Sequence, residues 1–137
     1  AILSDGKDLY VLDIKSINSI LFRKLAEPKE ENINQIQLYL HFFKIKTGLL
    51  LYVNKDTQEL KEFFVNYNPG SAKILLKDLE ALKEQIDSDI IPARIPEYPA
   101  GWQCQYCPFK AICVMVDGGE VKWAKFKAGM ENAGLGT

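Results

Sequence analysis

Leu9-Tyr10-Val11-Leu12-Asp13-Ile14-Lys15-Ser16 is the stretch whose reading decides the fold. Its first four residues are consecutively apolar, the pattern of a central strand covered on both faces. A charged pair then follows on the same strand. Side chains alternate with a period of two, so Asp13 and Lys15 leave the strand on one face. Just upstream, Asp5-Gly6 is a hairpin signal, and residues 1–4 and 9–16 read as paired strands.

Working outward, residues 17–28 mix apolar positions with Asn18, Ser19 and Pro28 and read as a connector with room for one helical turn. From residue 30 to 46, Ile33, Ile36, Leu40 and Phe43 recur at helical spacing, with Gly48 where a C-terminal cap belongs. Residues 49–53 and 59–67 flank the turn-rich Asn54-Lys55-Asp56-Thr57 and predict a second hairpin. Asn68-Pro69 is a cap and first turn. Leu75, Leu79, Leu82 and Ile86 then carry a helix to about residue 88. Pro92, Pro96, Pro99 and Gly101 break regular structure. The last twenty residues hold five glycines and read as a flexible tail pinned at Trp123 and Phe126. Strands interleaved with helices place the chain in the α/β class.

The composition narrows the function classes. The chain has 137 residues, with 17 Lys+Arg against 18 Asp+Glu, and 47% of it is hydrophobic. Such a balance excludes a tail-driven or histone-like nucleic-acid binder, which needs a basic excess, while leaving a local basic groove open. No apolar run approaches the ~20 residues of a bilayer span, so the expectation is a soluble, cytoplasmic protein with no membrane partner. Three cysteines fall within ten residues, an odd number that cannot close into disulfides within one chain.

Three groups of residues carry candidate chemistry. An Asp can hold a hard cation such as Mg²⁺, and a Lys beside it can orient the attacking water and neutralise charge developing on a phosphate. The sequence contains five acid-x-Lys triplets, so the triplet alone decides nothing. Asp5/Lys7 brackets a turn, Glu27/Lys29 a proline, and Glu120/Lys122 lies in the glycine-rich tail. Glu59/Lys61 is strand-borne but follows a polar turn and is expected to face water. Asp13/Lys15 alone interrupts a covered strand. Gln35 and Tyr39, four apart on the long helix, share a face beside the apolar stripe, where they could hydrogen-bond a phosphate or stack on a base. His41 is given no role. Finally, Trp102-Gln103-Cys104-Gln105-Tyr106-Cys107-Pro108-Phe109-Lys110-Ala111-Ile112-Cys113 brings two thiols together at C-x2-C spacing, with a third six residues on. Pro108 and bulky Trp102, Phe109 and Ile112 suit a desolvated iron–sulfur cluster. A Zn²⁺ knot and three buried thiols are the alternatives.

In this order, strand-borne Asp13-Ile14-Lys15, helix-borne Gln35-x3-Tyr39 and Cys104-x2-Cys107-x5-Cys113 resemble the PD-(D/E)XK nuclease superfamily. The closest branch is the RecB-like exonucleases with an iron–sulfur cluster, which include CRISPR-associated and phage members. The resemblance covers about residues 1–116. It implies a restriction-endonuclease-like core, a mixed sheet flanked by helices, over residues 1–98. A cysteine cluster-binding segment follows at 99–116 and a flexible tail at 117–137. It further implies DNA as substrate, with other DNA-processing proteins as possible partners, and Mg²⁺ or Mn²⁺ held by Asp13 and the Ile14 carbonyl. Lys15 is the implied catalytic lysine, Gln35 and Tyr39 line the DNA path, and Cys104, Cys107 and Cys113 are three of four ligands to a [4Fe-4S] cluster. The family's other metal-binding Asp would fall at or just before Ala1, and the first cluster cysteine upstream. The chain therefore resembles the C-terminal part of such a nuclease, N-terminally truncated. Its activity would be exonucleolytic hydrolysis of DNA, with single-stranded ends the family expectation, in repair, recombination, CRISPR adaptation or phage replication. The rivals are a non-catalytic DNA-binding or protein-docking module of the same fold, and a zinc-binding adaptor.

Overall fold

The Asp5-Gly6 turn does fold two strands together, β1 (Ile2–Ser4) and β2 (Leu9–Ile17). Asp5 Oδ1 accepts the amides of Lys7 at 2.9 Å and Asp8 at 2.8 Å, and Gly6 supplies the positive φ of 90° that the turn requires. These donors hold the Asp5 carboxyl below its ordinary pKa, chiefly through Asp8 and then Lys7. The computed structural model describes residues 1–116, 119–132 and 134, without the side chains of 111 and 112. It packs as two units, Ala1–Asp78 and Leu79–Thr137.

After β2 the chain makes helix α1 (Ser19–Lys24), one element more than a bare connector. Asn18 caps it, its side chain accepting the Leu21 amide at 2.9 Å, and Asp56 accepts the Ser19 amide at 2.8 Å. Helix α2 (Glu30–Phe43) follows, with Glu30 and Glu31 in its first turn, where the helix dipole favours acids. Strand β3 (Thr47–Asn54) then lies parallel to β2, and β4 (Leu60–Asn66) returns antiparallel to β3. The sheet order is β1-β2-β3-β4, with α1 and α2 forming the crossover a parallel pair requires. Helix α3 (Pro69–Asp87) starts as expected, Asn68 Oδ1 accepting the Ser71 amide at 3.1 Å.

The core of this first unit joins Val11, Leu50 and Tyr52 of the sheet to Phe22, Leu25, Ile36, Leu40 and Ile45. Gln37, also buried, ties α2 to the end of β4: it donates to the Asn66 carbonyl and accepts the Asn68 amide, both at 2.8 Å. Among the described residues only one face of β2 is covered. Val11 is buried while Ile14, pointing the other way, is 57% exposed, so the expected two-sided coverage is not met within this unit.

Three sequence expectations change. Gly48 does not cap α2; Lys44 does, in a left-handed conformation with φ of 56°. Gly48 lies buried in β3, directly under α2. Lys61 does not face water: its ammonium donates to the carbonyls of Phe22 at 2.7 Å and Leu25 at 2.9 Å and lies over the Phe22 ring. It closes the C-terminal end of α1, a role for a cation near a helix C-terminus. Phe43 follows the apolar stripe in spacing yet is 55% exposed.

In the second unit, β5 (Ile90–Ile91) pairs antiparallel with β6 (Val121–Lys122). Short helices α4 (Trp102–Gln105) and α5 (Lys110–Cys113) carry the cysteine segment, and α6 (Trp123–Asn132) follows β6 with Phe126 buried. The stretch read as a tail thus holds β6 and α6 within its described residues; residues 117, 118, 133 and 135–137 lie outside them. No helix among the described residues is long and apolar enough to cross a membrane.

A Cβ at Gly48 would lie 2.4 Å from Ile36 Cδ1 and 2.8 Å from its Cγ1, and Ile36 is fully buried with nowhere to move. Gly48→Ala is expected to destabilise the protein by about 1–3 kcal/mol in urea unfolding, the usual range for overpacking. Adding Ile36→Val should recover part of the loss; a neutral Gly48→Ala would show that α2 is not seated on this glycine.

Candidate active site

Asp13 and Lys15 lie on the covered face of β2, opposite Leu50 and Tyr52 of β3 in the parallel register. The seating of α2 on that face brings Gln35 over them. Lys15 Nζ donates to Gln35 Oε1, and Gln35 Nε2 donates to the Tyr39 hydroxyl at 3.0 Å. The structure therefore joins all four predicted side chains in one chain, Asp13–Lys15–Gln35–Tyr39. Gln35 and Tyr39 do project from one helix face beside the core stripe, Tyr39 with 38% of its surface open.

The carboxylate is the unusual member. Lys15 Nζ stands 3.1 Å from Asp13 Oδ2, an ion pair whose alignment does not make a hydrogen bond. Asp13 Oδ2 is buried and has no hydrogen-bond partner among the described residues. A buried carboxylate oxygen normally accepts several bonds, and one whose sole partner is a misaligned ammonium is only partly compensated for the cost of its desolvation. A cation ligand removes that cost. Ile14 supplies a further oxygen on the neighbouring residue. Leu12 exchanges both backbone bonds with Ala1, its amide reaching the Ala1 carbonyl at 2.8 Å and its carbonyl accepting from Ala1 N at 2.8 Å. Backbone groups alternate sides along a strand, so the Ile14 carbonyl points to that same edge, beyond the end of β1.

Mg²⁺ is commonly bound through one or two carboxylates together with waters and substrate phosphates. Asp13 and the Ile14 carbonyl fit that donor set in part. Among the described residues, no three His, Cys, Asp or Glu side chains gather around one point.

The same observation bears on the cysteines. Cys104 is buried, Cys107 and Cys113 half-buried, and all three are free. They do not converge as ligands of a single ion among the described residues. They line instead one apolar cavity of about 490 Å³ in the second unit, with Ile91, Arg94, Tyr98 and Phe126. These lining residues are not legible in the cysteine motif, because they come from segments before and after it. Arg94 lies over the Tyr98 ring, 4.5 Å from its centroid. The bulky neighbours expected around the thiols behave differently: Trp102 is 71% exposed, Phe109 lines the cavity but is largely exposed, and the Ile112 side chain lies outside the described residues.

Comparisons with known proteins give the family and the fold. The CRISPR-associated exonuclease Cas4 of Saccharolobus solfataricus is 28% identical over 109 residues, covering 80% of this chain and 46% of that protein. The crystal structure of SSO0001 superposes with a TM-score of 0.55 at 26% identity, covering 82% of this chain and 47% of that one. The chain thus spans about half the length of these relatives. The model of the PD-(D/E)XK nuclease superfamily matches residues 2–114, from β1 through the last cysteine. The mixed sheet with its crossover helices is the fold this match requires, and the chain belongs to the PD-(D/E)XK nuclease superfamily.

Proposed function

We propose that this chain is the catalytic part of a divalent-metal-dependent exonuclease that hydrolyses phosphodiester bonds at DNA ends, with single-stranded ends preferred. The observation that carries the reading is the buried Asp13 Oδ2, which has no hydrogen bond among the described residues and only the Lys15 ion pair at 3.1 Å. Asp13 and the Ile14 carbonyl would hold Mg²⁺ or Mn²⁺. When bound, such an ion supplies Lewis-acid activation of water and neutralises phosphate charge.

The protein's own residues do the rest. Lys15 presents a fixed cation next to Asp13, where it stabilises negative charge growing on a phosphoryl oxygen and orients the attacking water. Gln35 holds the Lys15 ammonium through its carbonyl oxygen, and the Tyr39 hydroxyl, accepting from the Gln35 amide, fixes which way that amide points. Lys15 thus keeps one orientation before substrate arrives. Tyr39 is also open enough to touch the DNA.

The cysteine segment, residues 99–116, completes the proposal. An apolar cavity lined by three thiols at C-x2-C-x5-C spacing suits a desolvated [4Fe-4S] cluster, with a Zn²⁺ knot as the alternative. Its role would be structural, since metal coordination contributes folding free energy. Repair, recombination, CRISPR adaptation and phage replication are all settings such an enzyme fits, with other DNA-processing proteins as partners.

The rival reading is a module of the same fold that binds DNA without cutting it. One assay separates them. In the natural full-length protein, end-labelled DNA should be degraded with Mg²⁺ or Mn²⁺ and left intact with EDTA. Lys15→Ala and Asp13→Asn should each reduce cleavage by roughly 10²-fold or more while circular dichroism and DNA binding persist. Full metal-dependent cleavage by either variant would overturn the assignment, and binding without cleavage by the parent would leave the non-catalytic module. Protein purified without oxygen should be brown and contain iron, and Cys104→Ser should lose both; colourless protein with stoichiometric zinc would contradict the cluster.

A further inference from the structure

A shallow trench runs away from Asp13 along the seam between β2 and α2. Its first part, about 360 Å³, is lined by Asp13, Val11, Leu12, Ile2, Tyr39 and Phe43. Gln35, Tyr39 and Phe43 are four residues apart in turn and so form one row on the helix, leading from the catalytic lysine outward. Helix α2 runs opposite to β2, so moving from Gln35 to Lys44 on the helix corresponds to moving from Lys15 back towards Leu9 on the strand. There the next hollow begins. It measures about 380 Å³ and is lined by Lys7, Lys44 and Lys46, with Leu9, Tyr10 and a single acid, Asp8.

Three lysines against Asp8 in the lining and Asp5, which accepts the Lys7 amide and the Tyr10 hydroxyl, leave a local excess of one positive charge on a chain of net charge −1. None of the three is ion-paired among the described residues. Lys44 and Lys46 gain something from the helix C-terminus, where cations are favoured, but Lys7 comes from the β1–β2 turn, which that effect does not explain. Phe43 lines the first hollow and, among the described residues, is more than half exposed. Open aromatic faces alternating with a cationic groove are how proteins hold a single strand, the rings stacking on bases and the lysines following phosphates.

We infer that Tyr39, Phe43 and the Lys7/Lys44/Lys46 hollow form the track that holds the single-stranded DNA adjoining the scissile phosphate. From Gln35 to Lys44 the helix rises about 14 Å, and from Lys15 to Leu9 the strand covers about 20 Å, enough for several phosphates beyond the catalytic pair. The inference rests on the nuclease reading and adds Phe43 and the three lysines to Tyr39, which that reading already sets beside the DNA.

The test uses the full-length protein carrying Asp13→Asn, so that DNA survives, and a fluorescein-labelled single-stranded oligonucleotide titrated at several salt concentrations. Lys7→Gln/Lys44→Asn/Lys46→Gln keeps a residue tolerant of the left-handed conformation at position 44. It should weaken binding by about tenfold or more and flatten the slope of log K against log salt by about 2, near 0.7 for each phosphate that a lysine no longer neutralises. Lys73→Gln/Lys77→Gln/Lys83→Gln on α3 removes the same charge and should leave the slope in place. Phe43→Ala should weaken single-strand binding by roughly fivefold or more without changing the slope. An unchanged slope in the hollow variant, or equal losses in the α3 variant, would overturn the track while leaving the nuclease reading intact. Failure of the parent to bind DNA at all would overturn both.

Discussion

The parallel pairing of β2 with β3, with α2 seated hard against Gly48, is the constraint on which the site depends. A Cβ at position 48 would fall 2.4 Å from Cδ1 of the fully buried Ile36, so that side chain or the helix carrying it would have to shift. Close seating puts Gln35 within hydrogen-bond reach of Lys15 and lines up Tyr39 and Phe43 over the β2 edge. An overlong gap between helix and strand would leave Lys15 to choose among rotamers, and long flexible cations lose much of their value when they must be ordered at the moment of reaction. The core therefore does more than stabilise the domain. It sets the height of the helix from which the lysine is held.

Within that frame the charged pair on β2 is costly as it stands. A carboxylate oxygen out of water, beside a cation that does not hydrogen-bond it, is a partly satisfied buried ion pair, the kind that rarely adds net stability. Folds tolerate such groups where function needs them, and local conflicts with otherwise consistent packing mark functional sites. Lys61 makes the contrast. It is also a lysine two residues after an acid, Glu59, which precedes β4, yet its ammonium is satisfied by two backbone carbonyls and carries no unmet demand.

Much of this is legible in the sequence, and the omissions have physical causes. Asp5-Gly6, the stripe of α2 and Asn68-Pro69 act through local rules, so their positions follow from spacing and turn chemistry. Asp13/Lys15 stands out from four similar triplets because an apolar run precedes it. Gly48 misleads because glycine serves both a left-handed cap and a close helix approach, and only the tertiary packing shows which; Lys44 takes the cap instead. Nothing near Lys61 in the sequence tells of its burial, because its partners, Phe22 and Leu25, lie nearly forty residues away. Periodicity gives the inward face of a helix but not how far the sheet beneath extends, which is why Phe43 has core spacing without core burial. The cavity around the thiols draws on residues from Ile91 to Phe126, a gathering no motif spacing encodes.

The central claim is that Asp13 Oδ2 has Lys15 as its sole partner among the described residues, in an ion pair without a hydrogen bond, because a metal cation belongs there. The most direct measurement is anomalous scattering from crystals of the full-length protein grown with Mn²⁺. The expected result is an anomalous peak about 2.1 Å from Asp13 Oδ2, close to hard-cation bonding distance, with the Ile14 carbonyl as a second ligand. Asp13→Asn should remove it. Well-ordered Mn²⁺ bound elsewhere, with Asp13 still paired to Lys15 alone, would contradict the account.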